Sequence, residues 1–168
     1  MIGEEVVTLG SSYTATFASK DVADGIAVTV TALGLDGAGA GNYSLTQPTG
    51  LAANITPKAL TVTGITAQNR AYTADTAATL NTGSSTLVGV LAAEDVTLNV
   101  SGAQGTFASK DVGTAITVAV SGLALSGTQT SNYSLTQPST TANITPKALT
   151  VTGITAQNRA YTADTAAT

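Results

Sequence analysis

A side chain acts as a nucleophile near neutral pH only with a base beside it, and this chain contains neither His nor Cys. A Ser or Thr would need Lys as its base, and Lys20, Lys58, Lys110 and Lys147 all stand beside an Asp or a Pro, at turns or seams. Two carboxylates facing each other across a cleft can hydrolyse a glycoside. The adjacent pairs Glu4-Glu5 and Glu94-Asp95 would point to opposite faces of an extended chain, so they suit solubilising charges at a turn better. Calcium takes about six to eight oxygen ligands. Asp21 and Asp24 follow "FASK", but the same stretch further on carries Asp111 and Thr114, which fits a turn and not a cation site. "GAGAG" at 37–41 lacks the Lys-Ser/Thr of a phosphate loop, and its counterpart at 127–131 reads "GTQTS"; both read as hairpin loops. Lys20 or Lys110 with an Asn and an acid supplies the residue types of an isopeptide crosslink, but no spacing singles out a triad. Asn42, Asn54, Asn99, Asn132 and Asn143 each open an Asn-X-Ser/Thr triplet, as chance alone produces in a chain rich in Asn and Thr. The expectation is a protein that is not an enzyme, with no catalytic, cofactor-binding or metal-binding residue and no cofactor.

The residues that must build the scaffold are small or β-branched. There are 29 Ala and 32 Thr against two Phe and no Trp, which suits the pleated, half-buried surface of a sheet. Hydrophobic residues make up 43% and charged ones 10%, the reverse of a disordered chain. The net charge of −4 and the scattered basic residues offer no stripe for phosphates, so nucleic acid is not an expected partner. Without Cys there is no disulfide framework. The longest apolar run, 87–93, falls far short of the roughly 20 residues of a spanning helix, so no membrane insertion is expected. The acidic start at 1–5 lacks the pattern of an export signal, which for an exported parent would lie outside this sequence.

The patterning is that of strands. "IAVTVTALGL" (26–35) and "ITVAVSGLAL" (116–125) alternate apolar with small or polar residues, as do "LTVTG" (60–64), "VTLNVS" (96–101) and "YSLT" (43–46). "RAYTADTAAT" (70–79) reads as strand and turn, since Thr is a poor helix former. The chain also repeats itself. "TFASKDV" at 16–22 returns at 106–112, and "NYSLTQP" at 42–48 returns at 132–138. The 27 residues at 53–79 return unchanged at 142–168, and "EEVVTL" (4–9) aligns loosely with "AEDVTL" (93–98).

A period of 89–90 residues exceeds the roughly 20–50 of a solenoid coil and suits a self-contained bead. Proline is tolerated at strand starts and edges, which places the seams at Ile55-Thr56-Pro57-Lys58 and Ile144-Thr145-Pro146-Lys147. The expected fold is all-β, tandem immunoglobulin-like β-sandwich repeats of about seven strands each. On this division 58–146 is a complete repeat, 1–57 a repeat lacking its first strands, and 147–168 the first strands of a further one. The chain then reads as a window cut out of phase from a longer array. So short a seam should hold neighbouring beads in a semi-rigid row.

The signature "NYSLTQP…ANITPKALTVTGITAQNRAYTADTAAT", followed by "LNTGSSTLVGV…VTLNVSGAQGTFASKDVG", resembles the YDG-type repeat, related to the MBG (mostly bacterial immunoglobulin-like) modules. The family's namesake Tyr-Asp-Gly stands here as Tyr72-Thr73-Ala74 and Tyr161-Thr162-Ala163. Asp-Gly favours a turn with positive φ and Thr-Ala does not, which leaves the local turn open, with Asp75 or Asp164 able to serve a shifted one. The resemblance implies a spacer in filamentous-haemagglutinin-like adhesins of Gram-negative bacteria, at the cell surface or secreted, structural and not catalytic. It assigns no binding residue.

The phase of the repeat carries a second expectation. Ordering the 22 residues of 147–168 costs roughly 20–40 kcal/mol of backbone entropy, which a lone strand pair does not offset. That tail should be disordered unless it adds to a sheet, and the sheet open to it is 1–57 of another copy. The partner is then self, in a head-to-tail homopolymer, although "LNTGSSTLVGV" has no counterpart in the donor. The alternative function is a carbohydrate-binding module. It would need an exposed aromatic platform, whereas Tyr43, Tyr72, Tyr133 and Tyr161 recur in positions better suited to core or corner.

Overall fold

A computed structural model describes residues 5–165; residues 1–4, Glu4 among them, and residues 166–168 of the tail lie outside the described residues. The described chain is all-β, with several small sheets and two single-turn 3-10 helices, Ala40–Asn42 and Thr130–Asn132. Among the described residues no strand pairing crosses Thr56-Pro57.

Residues 58–145 hold most of the core. A five-stranded sheet runs in the order Arg70–Ala71, Ser139–Thr145, Gly113–Ser121, Gln104–Phe107, Ala77–Ala78. A three-stranded sheet places Lys58–Thr63 between Thr86–Val88 and Tyr133–Leu135. Thr97–Asn99 pairs with Ala124–Ser126, and Thr66–Ala67 with Leu80–Asn81. Alternation does what a period of two requires: in Gly113–Ser121, Val118 and Val120 are buried while Thr117, Ala119 and Ser121 face out. Val120 and Leu123 meet Val62 of the other sheet and Ile65 just beyond its strand, while Phe107, Val118, Ala142 and Ile144 form a second cluster. Each Val, Ile, Leu or Phe among them, fully buried, contributes roughly 1.5–3 kcal/mol.

Residues 8–55 follow the same plan with fewer strands. Thr14–Phe17, Ala23–Thr31 and Ala52–Ile55 form a three-stranded sheet in that order, and Thr8–Leu9 pairs with Leu35–Asp36. The strand Ala23–Thr31 bulges between Ala23 and Ile26, as Gly113–Ser121 does between Gly113 and Ile116. In both bulges an Asn on the neighbouring strand caps the exposed amide: Gly25 N–H donates to Asn54 (2.8 Å) and Ala115 N–H to Asn143 (2.7 Å).

Two expectations are corrected. "YSLT" at 43–46 is not a strand, although its copy Tyr133–Leu135 is. Tyr133–Leu135 owes its ladder to a parallel partner, Lys58–Leu60, and residues 43–46 have none. The turn at Tyr72-Thr73-Ala74 keeps a positive φ despite lacking glycine, +67° at Ala74 and +58° at Ala163. Its geometry is imposed by the neighbours: Asp75 accepts from Ala77 N–H (3.0 Å) and pairs with Arg70 (3.0 Å).

Residues 147–165 carry no strand and are exposed throughout. Leu149 is 88% exposed, whereas Leu60, in the same repeat position, is fully buried. Phe17 is 43% exposed and its counterpart Phe107 only 2%.

Candidate functional site

Among the described residues, the two parts of the chain touch through specific polar contacts at the turn Ser19–Val22, set between strands Thr14–Phe17 and Ala23–Thr31. Ser19 Oγ accepts from the Asp21 amide (3.1 Å), which curls the turn and projects Lys20, Asp21 and Val22 towards residues 91–133. Asn132 closes the 3-10 turn opposite. Its Oδ1 accepts from Val22 N–H (2.9 Å) and its Nδ2 donates to Asp21 (3.1 Å), so one amide side chain grips the turn twice. Lys20 Nζ lies 3.2 Å from Asp21 and 3.8 Å from Glu94. Tyr133 donates its hydroxyl to Glu94 (2.6 Å) and accepts from Leu91 N–H (3.2 Å), which fixes the carboxylate that faces Lys20. Behind these groups lies a cleft of about 220 Å³, with Val22, Ile55 and Leu91 among its walls.

The electrostatics favour clamping over proton transfer. The Asp21 hydrogen bond and charge, with Glu94 adding to them, raise the Lys20 pKa, so the amine stays an ammonium. The Asn132 hydrogen bond, followed by Lys20, lowers that of Asp21. The hydrogen bond to Glu94, and then burial, raise Tyr133, so the phenol stays neutral. A base near neutrality is supplied by neither Lys20 nor Tyr133. The cluster does hold a Lys, an Asn and two acids, the residue types of an isopeptide crosslink. That chemistry needs a desolvated, neutral amine, and this one is three-quarters exposed.

Other residues singled out in the sequence are separated. Glu94 faces Tyr133 and Lys20, whereas Asp95 accepts from Thr128 N–H (3.1 Å) and caps the loop that reads "GTQTS". Asp21 is in the clamp, and Asp24 is exposed on the strand beyond it. Among the described residues no group of three His, Cys, Asp or Glu could hold a metal ion. Tyr133 is buried and Tyr72 packs against the Phe107 cluster; Tyr161 is exposed on the tail.

The same turn recurs at Ser109–Val112 with the same internal bonds, Asp111 N–H to Ser109 Oγ (3.0 Å) and Lys110 Nζ to Asp111 (3.0 Å). The receiving side recurs too: Tyr43 donates to Glu5 (2.7 Å) as Tyr133 does to Glu94. Glu94, Asn132 and Tyr133 were not singled out as partners of this turn in the sequence. The signal available was the joint recurrence of "SKDV", "NY" and the upstream Glu at one period.

The family model of the YDG domain matches residues 1–50 and 56–142. No curated protein and no solved structure matches the chain.

Proposed function

The chain belongs to the YDG domain family, and from that premise we propose that it is a structural spacer, one piece of a stalk built from tandem immunoglobulin-like β-sandwiches in a bacterial surface adhesin or extracellular filament. The observation that carries the reading is the seam. A linker of two residues, Thr56-Pro57, joins the strands Ala52–Ile55 and Lys58–Thr63. The Asn132 clamp then ties the Ser19–Val22 turn across it. A short linker plus a bracing contact is what a spacer needs to resist bending, and neither serves a catalyst.

The same reading extends to self-assembly by strand donation from 147–168 to 1–57. In residues 58–145 the parallel register is Tyr133 to Lys58, Ser134 to Ala59 and Leu135 to Leu60. The identical tail sequence would pair Lys147 with Tyr43, Ala148 with Ser44 and Leu149 with Leu45 of a second copy. It would put Leu149 where Leu60 lies and Arg159 over Phe17, as Arg70 lies 5.1 Å from the Phe107 ring. The donor turn is already formed, since Arg159 pairs with Asp164 (2.7 Å) in the tail as Arg70 does with Asp75. Light scattering over a concentration series should show growing chains, and a variant ending at Pro146 should remain monomeric. A monomer at high concentration, unaffected by that truncation, would remove strand donation. The spacer reading would then stand on the seam alone.

A further inference from the structure

We infer that the Ser109–Val112 turn of one copy docks against Glu5, Asn42 and Tyr43 of a second copy, forming a clamp like that at the seam within the chain. This contact presupposes the head-to-tail reading and adds a joint separate from the donated strand.

The donor is preformed. Residues 109–112 repeat the Ser-Lys-Asp-Val of 19–22, and their internal hydrogen bonds agree to within 0.2 Å: 3.0 against 3.1 Å for the Asp amide, and 3.0 against 3.2 Å for the Lys–Asp pair. Lys110 also reaches Tyr72, but the Asp111 side of the turn is open, 71% exposed. Val112 is 52% exposed where Val22 is half-buried, and its N–H has no hydrogen-bond partner among the described residues.

The receiving side is preformed as well. Asn42 ends a 3-10 turn as Asn132 does, and the Tyr43–Glu5 hydrogen bond matches Tyr133–Glu94 (2.7 against 2.6 Å). The difference lies in the Asn amide. Asn132 Nδ2 donates across the seam to Asp21, whereas Asn42 Nδ2 donates to Glu5 (2.9 Å). Docking would turn Asn42 onto Asp111 and the Val112 amide, and would bring Lys110 to Glu5. The charges complement each other: an ammonium on the donor faces a carboxylate on the receiver. A second copy is the occupant of choice because both halves of the joint are written in this chain and are already seen together once.

The chain has no Cys, so introduced thiols report without background. Val112→Cys in one copy and Gly41→Cys in another, where an added side chain has open space beside Asn42, mixed and treated with a short bis-maleimide, should give a covalent dimer. Ala148→Cys mixed with Ser44→Cys reports the donated strand separately. Asp111→Lys in the Val112→Cys copy should lower the first yield about tenfold, the loss of a hydrogen bond to a charged group. If the strand pair crosslinks and the turn pair does not, the docking is overturned and strand donation stands. If only the turn pair crosslinks, the docking stands and strand donation falls. If neither does, both are refuted.

Discussion

At the scale of single residues, the repeat is its own control for backbone strain. Gly25 and Ala115 occupy the same bulge with φ of +62° and +50°, and Ala32 and Gly122 the same turn with +60° and +75°. Left-handed backbone costs an L-residue roughly 1–2 kcal/mol, which glycine escapes. Glycine gives back about 0.4–1 kcal/mol in the unfolded chain, so the two effects nearly cancel and geometry decides the remainder. Ala115→Gly should therefore stabilise the fold by up to about 1 kcal/mol in urea titration. Gly122→Ala should destabilise it by more than about 2 kcal/mol, because the new Cβ would stand 2.0 Å from the Gly102 carbonyl oxygen. Equal effects of the two substitutions would contradict this account. Positive φ at Ala74 was not legible in Tyr-Thr-Ala, because Arg70 and the Ala77 amide fix the turn through Asp75. Local propensity yields there to tertiary contacts.

At the scale of elements, strand patterning was legible and strand existence was not always so. "NYSLT" occurs twice, and only the copy beside Lys58–Leu60 is a strand. A strand is a property of a pair, so a period of two in one segment says where a ladder can form and leaves open whether its partner is there. The strand Lys58–Thr63 and residues 147–152 make the converse point: "KALTVT" is central in a sheet in one place and unpaired in the other. Leu60→Ala should cost about 2–5 kcal/mol, since it opens a cavity beneath Tyr133 and Val96. Leu149→Ala changes the same residue in the same local sequence and should shift monomer stability by less than about 0.5 kcal/mol. It should nevertheless weaken assembly in light scattering, because Leu149 is the side chain that would enter the second copy. Matching losses of monomer stability in the two variants would mean that the tail already packs on its own molecule.

At the scale of the whole molecule, period and all-β class were legible because they are written in spacing and composition. The joint was not, because its contacts link residues 110 and 111 positions apart. Its strength is unevenly distributed. The Lys20–Glu94 pair spans 3.8 Å with the amine largely exposed, and solvent screens such pairs so that they add little. Asn132 makes two hydrogen bonds, one of them to a carboxylate, and so carries more of the joint than the ion pair does. Asn132→Ala should therefore speed amide exchange in 8–55, where the core is thinner, and leave 58–145 protected; Lys20→Ala should change neither. Acid should do what Asn132→Ala does. Asp21 has its pKa lowered in the folded chain, by Asn132 first and Lys20 next, so its contribution is complete above the ordinary carboxylate value. That contribution is lost as the pH falls through the lowered one. Exchange in 8–55 should accelerate beyond its intrinsic pH dependence across that acid window, and the acceleration should be absent in Asn132→Ala. If the variant responds to acid as the parent does, the grip on residues 8–55 comes from the Thr56-Pro57 linker and not from the amide of Asn132.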